Sequence, residues 1–83
     1  MFIEIVTPDE KVFEGEVVSA TFPGSDGSFQ ILNHHAPLVA TLGKGDIKYQ
    51  PEKEKEVHIL VDGGVVEVIH NKVNVLIEKI VEK

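Results

Sequence analysis

FPGSDGSFQILNHHAPLVATL, residues 22–42, decides the fold, because it joins a glycine-rich turn to a strand-like run with no charge on either face. Side chains of a strand alternate between its two sides. One side is formed by Ala36, Leu38, Ala40 and Leu42, and the other by Pro37, Val39 and Thr41. A strand with one wet side normally alternates apolar and polar residues. Both sides are therefore expected to be covered, and the second cover is either another protein or a loop of the same chain.

Short β-rich runs separated by turn signals continue on both sides of this stretch. Pro8 and Asp9 suit a turn after the first run, Gly15 indicates a bend, and Gly43 and Gly45 flank a further turn. This spacing is typical of an all-β protein, a flattened antiparallel β-sandwich or barrel of roughly eight to ten short strands.

The second half of the chain contains hairpin signals. The run PEKEKE at residues 51–56 predicts a solvated hairpin tip, and Asp62, Gly63 and Gly64 predict a tight turn between two alternating runs. Asn71 and Lys72 indicate another turn, since asparagine tolerates positive φ.

The last dozen residues fit two periodicities. Val73, Val75 and Ile77 alternate as a strand does, whereas a helix would align Val73, Leu76, Ile77, Ile80 and Val81 on one face. The preceding hairpin and the β-branched residues favour a strand to about Glu78.

The chain has 83 residues, which predicts one domain over residues 1–83. A domain of this size buries only roughly 60% of the surface that its unfolded chain exposes. There are no cysteines, so disulfides cannot supplement the thin core. Association with a partner is the natural source of further stability.

The formal net charge is −6, and all eight basic residues are lysines. Nucleic acid is therefore an unsuitable partner, because arginine forks and a basic surface are missing. No apolar run is long enough to span a bilayer, and the first residues do not resemble a signal peptide. We expect a soluble, intracellular protein without direct lipid insertion, since excess acid is repelled by an anionic leaflet.

Four histidines raise the hypothesis of a metal site, with Asp26 and Asp62 as further ligands. His34 and His35 are adjacent and would point to opposite sides of a strand, and the chain lacks a His-x-His pattern. We expect no metal and no cofactor. A small cupin-like metal-binding β-barrel is kept as the alternative function.

Catalytic motifs are also missing from the serine- and glycine-rich turn. PGSDGS at residues 23–28 is not followed by Gly-Lys-Ser or Gly-Lys-Thr, and Ser25 and Ser28 lack the Gly-x-Ser-x-Gly elbow of a hydrolase. The segment instead predicts an exposed tight turn, since Gly24 and Gly27 permit positive φ. We expect no catalytic residues.

Four segments in this order carry a resemblance to a known family: FEGEV at residues 13–17, FPGSDGSFQIL at 22–32, HAPLVATL at 35–42 and VDGGVVEV at 61–68. Together they resemble the β-sandwich domain of the epsilon subunit of the F-type rotary ATP synthase. The resemblance covers nearly the whole chain.

The resemblance implies a non-catalytic rotor component that binds the gamma shaft and the ring of c subunits. It implies a position on the cytoplasmic face of the bacterial plasma membrane, held there through the complex. The positions that match family contacts with gamma are Thr7, Leu38, Ala40 and Leu42. Those that match contacts with the c ring are Ser25, Asp26, Gly27, Ser28 and His35.

Two features differ from the family pattern. Family members commonly continue into two C-terminal helices, whereas this sequence ends at Lys83. It is either a short form lacking the helical hairpin or an isolated domain, and inhibition by those helices is not assigned. His34 stands where a small or polar residue is more typical, and it receives no role.

Overall fold

A computed structural model of the chain describes residues 1–82, and these residues contain seven β-strands and no helix. The strands are β1 (Phe2–Val6), β2 (Lys11–Gly24), β3 (Gly27–Leu32), β4 (Leu38–Pro51), β5 (Val57–Ile69), β6 (Lys72–Ile77) and β7 (Ile80–Glu82). The all-β class predicted from the sequence is confirmed. Over the same range, no segment has the helical length and apolar character needed to cross a membrane.

The strands close into a flattened barrel of 27 × 26 × 20 Å. Their order is β1-β6-β5-β4-β2-β3, and β1 also pairs with β2, which closes the ring, while β7 pairs with β5. The pairing of β1 with β6 is parallel, and the other pairings are antiparallel.

The described strands are fewer and longer than expected, because three predicted interruptions lie within continuous strands. β2 runs through Gly15, β4 runs through Gly43 and Gly45, and β5 runs through residues 62–64. The predicted tight turn at Asp62, Gly63 and Gly64 is therefore wrong.

The side of β5 that faces the core changes across residues 62–64, because the buried residues are Ile59 and Val61 before them and Val66 and Val68 after them. We call this change the bend in β5. Gly63 and Gly64 have φ values of 99° and 156°, which side chains with a Cβ rarely adopt. A Cβ at Gly64 would also collide with the main-chain oxygen of Leu76. The bend therefore requires glycine for both conformation and space.

Both hairpins that flank β5 form, with one small shift. Residues 52–56 connect β4 to β5 as the predicted hairpin tip. The next turn is made by His70 and Asn71, at φ values of 50° and 59°, between the paired residues Ile69 and Lys72. It lies one residue earlier than predicted. The chain then continues as strand, so the strand prediction for the C-terminal residues is confirmed and the helix alternative is wrong.

The core consists of inward-facing residues of every long strand, and apart from Tyr49 no described residue with a polar or charged side chain is buried. The largest fully buried side chains are Phe22, Ile3, Ile5, Ile31, Ile47 and Ile77. Phe22 stacks on Phe29 with the ring centroids 5.6 Å apart, and Phe13 contacts Tyr49 at 4.6 Å. Burial of these groups is the main source of stability.

Candidate protein-interaction surfaces

The glycine-rich turn joins β2 to β3 in two residues, Ser25 and Asp26, between the paired residues Gly24 and Gly27. Gly27 has a φ of 128°, which explains why glycine stands here. Ser25, Asp26, Gly27 and Ser28 are all exposed. The exposed tight turn predicted from the sequence is therefore confirmed.

The same turn is tied to β4. The amide of Ser25 donates a hydrogen bond of 3.0 Å to the carbonyl oxygen of Thr41, and the hydroxyl of Thr41 donates one of 2.9 Å to the hydroxyl of Ser25. Ser25 was predicted to face the c ring, and Thr41 belongs to the strand predicted to meet gamma. The fold brings these two regions into direct contact.

The two rows predicted for the uncharged strand have different environments. Leu42 is only 5% exposed and lies in the core, and Leu38 and Ala40 are half-buried against that core. Leu42 therefore has almost no surface to offer a partner. Val39, in the opposite row, is 69% exposed, and Thr41 is exposed as well. The sequence left open what covers each side of this strand. The side with Leu38, Ala40 and Leu42 is covered by the interior of this chain.

A row of one threonine and three apolar side chains crosses four strands on the outside of the barrel. Pairing places Thr41 beside Val65, Val65 beside Leu76, and Leu76 beside Val6. Leu76 is 60% exposed and Val65 38%. Val39 lies on the same side of β4 as Thr41, two residues earlier, opposite Glu67. We call Val6, Val65 and Leu76, together with Val39, the outer patch. Sequence reasoning did not single out Val6, Val65 or Leu76, although apolar neighbours such as Val65–Val66 and Leu76–Ile77 break the alternation and were a usable signal.

A shallow depression of about 310 Å³ lies at the outer patch. Thr7 and Pro8 form one rim, and Glu78 lies at another. The hydroxyl oxygen of Thr7 also accepts hydrogen bonds from the amides of Asp9 and Glu10, at 3.2 and 3.1 Å. Thr7 therefore both stabilises the β1–β2 turn and borders the patch.

The face becomes polar next to the outer patch. Glu67 is paired with Asn74, and Asn74 with Glu4. The ammonium group of Lys11 lies 3.2 Å from Glu14 and 3.3 Å from Glu4. Hydrogen bonds to Glu14 and then to Glu4 raise the pKa of Lys11. The patch is thus an apolar strip bordered by charged groups, which is the usual anatomy of a protein interface.

His35 lies away from the turn with which it was grouped. It follows the far end of β3, where its amide donates to the carbonyl oxygen of Leu32 at 3.2 Å. β3 has six residues, so the turn and His35 are separated by about 20 Å of strand. The predicted c-ring residues therefore occupy both ends of β3.

Three histidines surround a depression of about 540 Å³ at that end: His34, His35 and His70. The amide of His34 donates to the side-chain oxygen of Asn71 at 2.7 Å, which links the β3–β4 loop to the β5–β6 turn. Within residues 1–82 no three histidine or acidic side chains are arranged to hold a metal ion.

A third concave feature lies between β3 and the start of β4. It has a volume of about 580 Å³ and is lined by residues 24–29 and 38–41. We call it the edge groove. It connects the predicted ring-facing turn to the predicted gamma-contacting strand.

The barrel and its exposed turn define a small β-sandwich domain. Residues 1–83 match the family described as ATP synthase, Delta/Epsilon chain, beta-sandwich domain, and the chain belongs to that family. The resemblance found in the sequence is thereby confirmed. This family assignment gives no support to the cupin-like alternative.

Two curated relatives are epsilon chains of ATP synthase. The chain is 45% identical over 74 residues to that of Leptospira borgpetersenii, which covers 89% of this chain and 58% of the relative. It is 41% identical over 78 residues to that of Chlorobium limicola, and this match covers 94% of this chain and 89% of the relative. The chain therefore spans a little over half of the first relative and most of the second.

Solved structures agree on the fold. A chain in the cryo-EM structure of the Euglena gracilis mitochondrial ATP synthase superposes with a TM-score of 0.88 at 22% identity, covering 96% of this chain and 51% of that one. A chain in the central stalk and c-ring structure of the Tetrahymena thermophila enzyme gives 0.81 at 20% identity, covering 98% and 65%.

Proposed function

We propose that this protein is a non-catalytic component of the rotor of an F-type ATP synthase, which binds the gamma shaft and the c ring and thereby couples ion-driven rotation to ATP synthesis. Membership of the family supports the assembly of this chain into an ATP synthase. The outer patch is the observation that supports binding to gamma. The site of action is then the cytoplasmic face of the bacterial plasma membrane, reached through the complex.

The outer patch offers apolar side chains whose burial would stabilise a contact. Full burial of a valine or leucine side chain stabilises an assembly by about 1.5–3 kcal/mol. Val39 and Leu76 are mostly exposed in the free chain, so most of that stabilisation is available only on binding. Thr7 joins this contact from the rim, whereas Leu38, Ala40 and Leu42 support the patch from beneath.

The c-ring contact is assigned to the exposed turn. Ser25, Asp26, Gly27 and Ser28 project together, and Asp26 supplies a carboxylate that suits basic or amide groups of a polar loop. With His35 at the other end of β3, the contact would extend along the length of that strand.

Gamma binding is tested with a pair of charge substitutions at exposed apolar residues. Leu76→Glu places a charge in the outer patch, and Val18→Glu places one at a valine of β2 that is 45% exposed and lies outside the patch and the other candidate surfaces. Burying an unpaired carboxylate is costly. We expect Leu76→Glu to weaken binding to purified gamma by about 100-fold, equivalent to roughly 2.7 kcal/mol, and Val18→Glu to leave it within about threefold.

Binding should be measured by calorimetry, with circular dichroism as the check on folding. Equal affinity of the two variants would remove the outer patch from the proposal. Failure of the unmodified protein to bind gamma would remove the function itself.

The ring contact has its own test, made simple by the lack of cysteines. A single cysteine at Ser28 should form a disulfide with a cysteine engineered into the polar loop of the c subunit. A cysteine at Glu54, in the hairpin tip of residues 52–56, is the control that should not react. No cross-link from position 28 in a coupled complex would contradict the ring assignment.

A further inference from the structure

The edge groove is a gap in the hydrogen bonding of the barrel. Among the described strands, β3 pairs only with β2, and residues 38–41 of β4 pair only with β5. The loop of residues 33–37 joins the two strands at one end, and the Ser25–Thr41 hydrogen bonds join them at the other. Two strand edges therefore border the groove without bonding to each other.

On the β4 side, the direction of the main-chain groups follows from one hydrogen bond. The carbonyl oxygen of Thr41 accepts from Ser25 across the groove, so the main-chain groups of Thr41 point away from β5. Groups two residues apart in a strand point to the same side. The amide and carbonyl of Val39 therefore also face the groove.

On the β3 side, the position of Pro23 shows which main-chain groups face the groove. Ser28 is opposite Pro23, which has no amide hydrogen, so Ser28 occupies a position that does not exchange hydrogen bonds with β2. Its main-chain groups point to the outer edge, as do those of Gln30 and Leu32. The hydrogen bond from the amide of His35 to the carbonyl of Leu32 agrees with this direction.

The shape and lining of the groove suit one extended chain. Four residues of β4 border it, a length of about 13 Å. Phe29, Leu38 and Ala40 are half-buried and provide apolar surface, and Asp26 provides a carboxylate at the turn.

The groove-facing residues of the two strands include no lysine, no proline and no other protective charge. Natural edge strands are commonly protected by lysine, by proline or by other charged side chains. The edge-facing residues here are Ser28, Gln30, Leu32, Val39 and Thr41, none of which is charged. Exposed edges of this kind serve as templates for an added strand.

We infer that the edge groove binds an extended segment of the gamma partner as an added β-strand. The segment bonds to the main-chain groups of Val39, Ser28 and Gln30 and directs an apolar side chain toward Phe29 and Leu38. This inference rests on the proposed function. Val39 belongs to both surfaces, so a chain lying on the outer patch can continue over this edge.

The test combines hydrogen exchange with a proline pair. Amide exchange is measured by NMR for the protein alone and bound to purified gamma. We expect the amides of Ser28, Gln30 and Val39 to exchange at least about tenfold more slowly in the complex. Gln30→Pro removes a groove-facing donor that β2 does not use, and should weaken binding by about tenfold, the value of one net hydrogen bond. Gln30→Ala keeps the donor and should bind as the unmodified protein does.

The outcomes separate the two proposals. Binding of gamma without protection of these amides, or equal binding by both Gln30 variants, would overturn strand addition and leave the rotor assignment intact. No binding of gamma would remove both. Protection that increases with protein concentration alone would show a second copy in the groove, which also overturns the inference. Should Gln30→Pro fail to fold, the exchange measurement on the unmodified protein still decides.

Discussion

Ser25 and Thr41 are joined twice, once through main-chain groups at 3.0 Å and once through their hydroxyls at 2.9 Å. The pair fixes the exposed β2–β3 turn to the strand that carries Val39. Any force or displacement at the turn therefore reaches β4 without passing through the core.

Loss of the hydroxyl bond should loosen the turn more than it destabilises the fold. We expect Thr41→Val to lower the free energy of unfolding by about 0.5 kcal/mol, since the bond is solvent-exposed. NMR relaxation should show greater mobility at residues 25–28. Ser28→Ala, on the other side of the turn, is the control. Unchanged order parameters in Thr41→Val would mean that the main-chain bond alone holds the turn.

The bend in β5 should tolerate no side chain at position 64. Gly64→Ala combines a φ of 156° with a collision against the oxygen of Leu76, so we expect a loss of at least about 2 kcal/mol in urea unfolding. Gly43→Ala is the matched control, because the nearest atom to its added Cβ is 3.9 Å away. It should be neutral, or stabilising by up to about 1 kcal/mol. Equal effects would show that β5 can bend without glycine.

Alanine substitutions at Leu42 and Val39 should have different effects on the stability of the protein, because Leu42 is buried and Val39 is exposed. Truncation of a buried leucine costs about 2–5 kcal/mol, so Leu42→Ala should lower the unfolding midpoint strongly. Val39→Ala removes an exposed side chain and should change the free energy of unfolding by no more than about 0.5 kcal/mol. A mild Leu42→Ala would contradict its place in the core.

Alkaline pH should destabilise the protein partly through Tyr49, which is buried in the core. Burial raises the pKa of the Tyr49 hydroxyl, so the folded state holds this proton more tightly than the unfolded chain. The contribution is complete below the ordinary tyrosine pKa of about 10 and is lost as the pH rises through the folded value.

The measurement for Tyr49 is direct, because the chain has one tyrosine and no tryptophan. Ultraviolet absorbance should show tyrosinate forming at higher pH in the folded protein than in urea. The stability of the unmodified protein relative to Tyr49→Phe should fall above about pH 10. Parallel pH profiles of the two proteins would contradict the assignment.

Local residue patterns predicted much of the fold. The alternation of β-branched residues predicted the all-β class, and the glycines and Asp26 predicted the exposed turn of residues 25–28. The number of strands could not be obtained in this way, because Gly63 and Gly64 are equally suited to a turn and to a bend. The difference lies in pairing with β4, where Leu42 meets Gly64 and Lys44 meets Asp62, and that contact is distant in sequence.

The candidate surfaces were also predicted only in part from local residue patterns. Alternation separated Leu42 from Val39 but could not say which row faces inward, since this depends on the strands that pack against β4. The outer patch becomes visible only when Val65 and Leu76 are placed side by side by the β5–β6 register. The edge groove needed the register of Pro23 with Ser28, which no local pattern carries.

β4 and β5 remain paired from Leu38 with Val68 to Tyr49 with Val57, across the positions where both strands change direction. The parts of the barrel on either side of the bend are thus made from the same two continuous strands, β4 and β5. Neither part can shear against the other unless this shared ladder breaks. The molecule should accordingly twist as one solid piece, with no internal slip plane.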